Sequence, residues 1–166
     1  GILYKVDPIS AFDSAQGDST IIDSISLPRD TLKFVTGDCD DLTVLYNSLL
    51  EIAGMPTGFI TTPGHIFSAF NTGVPLDRYR SIHPDRNMTL GFEGELWIPV
   101  EITMLGTEDF MTAWRTGAEE WNEYENDSSM RYFAQTKEAQ KTYPPIVLES
   151  KDMGIQYADA RNVVER

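Results

Sequence analysis

Cysteine is nearly missing from this chain: among 166 residues there is one, Cys39, and there are only two histidines, His65 and His83. A single thiol makes no internal disulfide, and with so few imidazoles no zinc cage, so both are excluded as supports for the fold. Basic charge is also short. The 13 Lys and Arg stand against 26 Asp and Glu, a net charge of −13. Nucleic acid and anionic membranes are therefore not expected partners, because both call for basic patches. No apolar run is long enough to insert into and span a bilayer, and no basic signal segment opens the chain. Beginning at Gly1-Ile2-Leu3-Tyr4 without a methionine, it reads as an excised domain or mature product, with neighbouring domains expected in a longer protein. Repeats and low-complexity tracts are lacking, and residues 1–166 fit one domain with an ordinary core.

The cysteine that is present stands in Thr36-Gly37-Asp38-Cys39-Asp40-Asp41. Apolar residues then recur at Leu42, Leu45, Tyr46, Leu49, Leu50 and Ala53, which fills one helical face. Asp38 is the expected N-cap, Asp41 gives a weak capping box, and Gly54 supplies the stop. Cys39 thus falls in the first helical turn, where unpaired N–H groups and the helix dipole favour a thiolate. The neighbouring aspartates oppose that charge, so a cationic partner is required.

With two histidines, the search for that partner is short. His65 follows the turn dipeptide Pro63-Gly64 and leads the alternating run Ile66-Phe67-Ser68-Ala69-Phe70, which predicts a strand beginning at the imidazole. A second strand is expected over Glu95–Glu101, with Pro99 marking an edge or a bulge. If the two are antiparallel neighbours, His65 meets Glu101 above the cysteine helix. That is a nucleophile, a base and an orienting carboxylate: Cys39, His65 and Glu101. His83 lies in the polar stretch Ser81–Asn87 and reads as a surface-loop residue; the loop from Thr72 to Gly94 is long enough to flank a site.

Gly37-Asp38-Cys39-Asp40-Asp41-Leu42, the helix end Leu50-Glu51-Ile52-Ala53-Gly54-Met55-Pro56, Gly64-His65-Ile66 and Trp97-Ile98-Pro99-Val100-Glu101-Ile102-Thr103 together resemble the transglutaminase-like superfamily, and its bacterial members in particular. The likeness covers roughly residues 28 to 105. It implies an α+β fold with a papain-like core, the nucleophile-bearing helix packed on an antiparallel β-sheet. It also implies a Cys39–His65–Glu101 triad, with Glu101 where the family usually has Asp. The expected activity is that of a thiol-dependent peptidase or amidase acting on a protein or peptide. Protein-glutamine transglutamination or deamidation is the alternative, and a noncatalytic binding module on the same fold is another. Because some periplasmic cysteine proteases of this superfamily are calcium-dependent and carry an acid-Cys-acid segment, Asp38 and Asp40 are candidate Ca²⁺ ligands. Capping and a favourable acidic first turn account for the same residues, and no other cofactor is expected. Together with low cysteine use, the resemblance implies a bacterial periplasmic or extracytoplasmic setting.

Elsewhere, Leu27–Phe34 predicts a short helix with Pro28 in its first turn. A second begins at Thr107-Glu108-Asp109 and carries the stripe Phe110, Ala113, Trp114, Gly117, Ala118 and Trp121, with the acidic run Glu119 to Asp127 as its solvated outer face. A further helix is expected from about Ser129 to Lys141, ended by Tyr143-Pro144-Pro145, with the tail to Arg166 wrapping the domain or leading to a neighbour.

Overall fold

The computed structural model describes residues 1–6, 25–127 and 129–147. Strand β1 (Leu3–Tyr4) comes first. Helix α1 (Pro28–Phe34) has Pro28 in its opening turn, where a missing N–H costs nothing. It ends at Val35 in the left-handed conformation (φ 58°), whose N–H caps Thr31 O. That turn directs the chain into β2 (Thr36–Gly37), which pairs in parallel with β1, Tyr4 opposite Gly37. Helix α2 (Cys39–Ile52), which begins at the cysteine, follows at once, N-capped by Asp38, whose side chain accepts from Asp41 N–H. It stops ahead of Gly54, which has φ 81°.

Next come β3 (Thr57–Thr62) and β4 (His65–Pro75), joined by Pro63-Gly64. Gly64 has φ 78°, the left-handed value required at the third position of a type II turn, and Thr62 pairs with His65 across it. Strands β5 (Leu90–Phe92) and β6 (Glu95–Val100), helix α3 (Phe110–Glu123), β7 (Tyr132–Gln135) and α4 (Thr136–Thr142) complete the described residues. The sheet is antiparallel, in the order β5-β6-β4-β3-β7, so the protein is α+β. Pro99 lies within β6 opposite Ala69 of β4, beyond the last β5 pair at Trp97. On that side its missing N–H faces no strand, which is how a proline is accommodated there.

Two apolar clusters hold the layers together. One joins Ile60, Phe67, Ala69, Leu90, Trp97 and Phe133, and the other seats Ala113, Trp114 and Ala118 of α3 against Ile98 and Val100 of β6. Each fully buried side chain such as Phe67 contributes ~2–3 kcal/mol. Helix α2 packs by a different means. Its buried positions are Asp40, Leu42, Thr43, Leu45 and Asn47, while Leu49 is exposed, so the buried face is rotated from the apolar stripe expected. Asn47 Nδ2 donates to Gly58 O, and its Oδ1 accepts from the Ser68 hydroxyl. Thr43 Oγ1 bonds to Cys39 O at 2.6 Å and reaches Ile66 O at 3.4 Å. Polar side chains satisfied by the sheet take places that hydrophobic periodicity assigns to the outside.

Two further expectations are corrected. The stretch from Thr72 to Gly94 is not an open loop: β4 runs on to Pro75, two 3₁₀ turns (Leu76–Ser81 and Arg86–Met88) follow, and then β5. His83 lies in the loop between the two turns, partly exposed, its ring edge-on to Trp114 at 5.5 Å. The helix expected from Ser129 begins only at Thr136, because Tyr132–Gln135 pairs with β3 and buries Phe133. A free sheet edge outbids weak helix propensity. The tail beyond residue 147 lies outside the described residues.

Candidate active site

Because β4 begins at His65 and the antiparallel β6 ends at Val100, with Ser68 opposite Val100, His65 and Glu101 share one end of the sheet. The N-terminus of α2 is at that end too, since Thr43 reaches Ile66 O beside His65. All three residues of the expected triad therefore meet. His65 Nε2 and Glu101 Oε2 are 2.7 Å apart. The Cys39 side chain is near enough to His65 to interact with its imidazole. The imidazole stacks on Phe67, two residues along the same strand face, at 5.7 Å between centroids.

Glu101 is 4 % exposed and tightly held. Its backbone N–H donates to Ala113 O of α3 at 3.0 Å. Its side chain caps the 3₁₀ turn Ile102–Met104, Oε1 accepting from both the N–H and the hydroxyl of Thr103. Burial pushes its carboxyl up, and the bonds from His65 and Thr103 outweigh this and lower it. For His65, burial disfavours the cation. The interaction with Cys39, the bond to Glu101 and the charges of Glu101 and Glu120 prevail, and its pKa is pushed up to about 10. An imidazolium between a sulfur and a carboxylate is the state this geometry favours.

Sequence reasoning missed Glu120. Read as part of a solvated face, it turns instead toward His65, its Oε2 4.0 Å from His65 Nε2, and its Oε1 accepts from the Thr62 hydroxyl at 2.6 Å. Burial holds its carboxyl above the usual carboxylate range. The signal was available in part: Glu120 lies three residues after Gly117 on the α3 stripe, close to the buried face. Tyr4 was also missed. Burial raises its phenol, and so do the charges of Cys39, Asp38 and Glu101, which places β1 beside the site. His83 does not belong to it.

Asp38, Asp40 and Asp41 converge, with ligand atoms within 4.8 Å of one another. Each is engaged already. Asp38 and Asp40 both accept from Asp41 N–H, and Asp41 Oδ1 accepts from Ser26 N–H at 2.6 Å. Asp40 is raised to about 7 by burial, by a hydrogen bond with Asp38 and by that neighbour's charge. Their present bonds are those of a helix cap, and a Ca²⁺ ion there would need backbone carbonyls or water to complete the six to eight oxygens it takes. His65, Glu101 and Glu120 also converge within 4.8 Å. In this structure His65 and Glu101 are hydrogen-bonded to each other at 2.7 Å.

Among the described residues no helix is long and apolar enough to cross a membrane. The chain matches no family model, no curated protein and no solved structure.

Proposed function

We propose that this protein is a cysteine-dependent hydrolase of amide bonds in proteins or peptides, with a transglutaminase-like, papain-like core. Cys39 is the nucleophile, His65 the base and Glu101 the orienting carboxylate. The observation that carries the reading is the placement of one imidazole between the only thiol and a buried carboxylate, at the mouth of the helix that bears the thiol.

The reaction follows from that placement. His65 takes the proton of Cys39, and the sulfur attacks the amide carbonyl to form a C–S bond. The oxyanion is met by the Cys39 N–H, one of the first-turn donors without an intrahelical acceptor. His65 then protonates the departing amine as the C–N bond breaks, leaving a thioester on Cys39. Water, deprotonated by His65, attacks the thioester. The C–S bond breaks, a carboxylic acid leaves and the proton returns to Cys39. Glu101 stabilises the imidazolium through each half of the cycle.

Iodoacetamide labelling of Cys39 against pH, in the parent and in His65→Ala, tests the pairing without a known substrate. Rapid labelling near pH ~6 that is lost in the variant is the expected result. Identical profiles in the two proteins, both rising near the free-thiol value of ~8.5, would overturn the reading.

A further inference from the structure

Glu120 is the group at this site to which the steps above give no task. Two contacts set its position. The first is made by Gly117, one turn earlier on α3: a Cβ there would lie 3.0 Å from Glu101 N, Pro99 C and Val100 N. The missing side chain lets α3 settle closely on the strand that delivers Glu101, where even a methyl group would be tight against the backbone. The second is Thr62, at the end of β3, whose hydroxyl holds Glu120 Oε1 and leaves Oε2 turned to His65. The Glu101 and Glu120 side chains are 5 % and 22 % exposed, and their nearest oxygens lie within 4.8 Å. Carboxyl groups withdrawn from water this close together do not both ionise readily, so the second proton is lost with more difficulty than the first.

We propose that Glu120 is a positioning residue that shares one proton with Glu101, so that His65 faces one carboxylate charge while the proton is held and two once it is lost. Its catalytic meaning rests on the thiol reading above. With the second charge present, the imidazolium persists to higher pH and surrenders its proton to the leaving amine less readily. The Glu101–Glu120 pair then governs the alkaline limb of the reaction. Among the described residues, the other ionisable groups near His65 are Cys39 from α2 and, beside Cys39 and Glu101, Tyr4 from β1.

Since the chain has two histidines, imidazole NMR gives two titrations, and His83→Gln assigns them. The variant to compare with the parent is Glu120→Gln, whose amide carbonyl keeps the Thr62 bond and whose NH₂ can still donate to Glu101, but which cannot ionise. The His65 midpoint is expected to fall by about one pH unit, with His83 unmoved. Thr62→Val, which frees Glu120 toward solvent, is expected to lower it in the same direction. If Glu120 serves only to brace the Thr62 turn, neither variant moves the midpoint, and that result overturns the proposal. The same shift is expected in a Cys39→Ala background, because it needs no thiol. A quiet Cys39 in the labelling experiment therefore removes the hydrolase reading alone, and an unmoved His65 removes this proposal alone.

Discussion

Thr103 binds the one oxygen of Glu101 that His65 leaves over: its N–H donates to Glu101 Oε1 at 2.9 Å, and its hydroxyl donates to the same atom. The carboxylate is thereby fixed in its plane, and the longer reach of Glu relative to Asp is taken up by anchoring in the turn that follows β6. On the proposed hydrolase reading, Thr103→Val is expected to lower kcat several-fold while leaving KM unchanged, because it would loosen the orienting carboxylate without touching substrate. Thr103→Ser should restore the rate, and Glu101→Gln should cost about 10²-fold or more. A fully active valine variant would show that the hydroxyl does nothing for the triad.

Stability should decline in alkali through His65. Its folded pKa is raised from 6.5 to about 10, so its contribution is complete below 6.5 and is lost as pH rises through about 10. Thermal melts across that window are expected to fall more steeply in the parent than in His65→Gln. Parallel curves would mean that the imidazolium is not held in the folded state.

Asp40 acts in a lower window. Raised from 3.8 to about 7, it contributes most below 3.8, and that contribution is lost as pH rises toward 7. Asp40→Asn removes the ionisation and keeps an oxygen for Asp41 N–H, so its melting temperature should gain on the parent's between those pH values. Excess EDTA should leave the parent's melting temperature unchanged. A drop reversed by Ca²⁺ and not by Mg²⁺ would show that Asp38 and Asp40 hold a cation after all.

Gly117→Ala forces a methyl against the backbone between Pro99 and Glu101. The cost is expected at about 1–3 kcal/mol, as for overpacking elsewhere. Activity should fall as well, since α3 carries both Ala113 O, which binds Glu101 N–H, and Glu120. Urea unfolding measures the first effect. If Gly117→Ala is as stable as the parent, the close approach is not constraining.

What was legible in the sequence had local causes. Asp38 before an apolar period marks a helix start, Gly54 marks its end, and Pro63-Gly64 marks a turn into a strand, each through backbone preferences acting over a few residues. The spacing of Cys39, His65 and Glu101 was readable because each stands at the boundary of such an element. Register was not: that Ser68 meets Val100 follows from pairing across intervening chain.

By itself, then, the sequence determined one thiol, one imidazole and one carboxylate at the ends of a helix and two strands, and an acidic chain with little to offer a polyanion. Only the tertiary structure decided the burial of Asn47, the conversion of Tyr132–Gln135 into an edge strand, and the turning of Glu120 toward His65. The reason is common to all three. A polar or ambivalent residue takes its place from the partner that satisfies it, here Ser68, β3 and Thr62, and those partners lie far along the chain, where periodicity carries no signal.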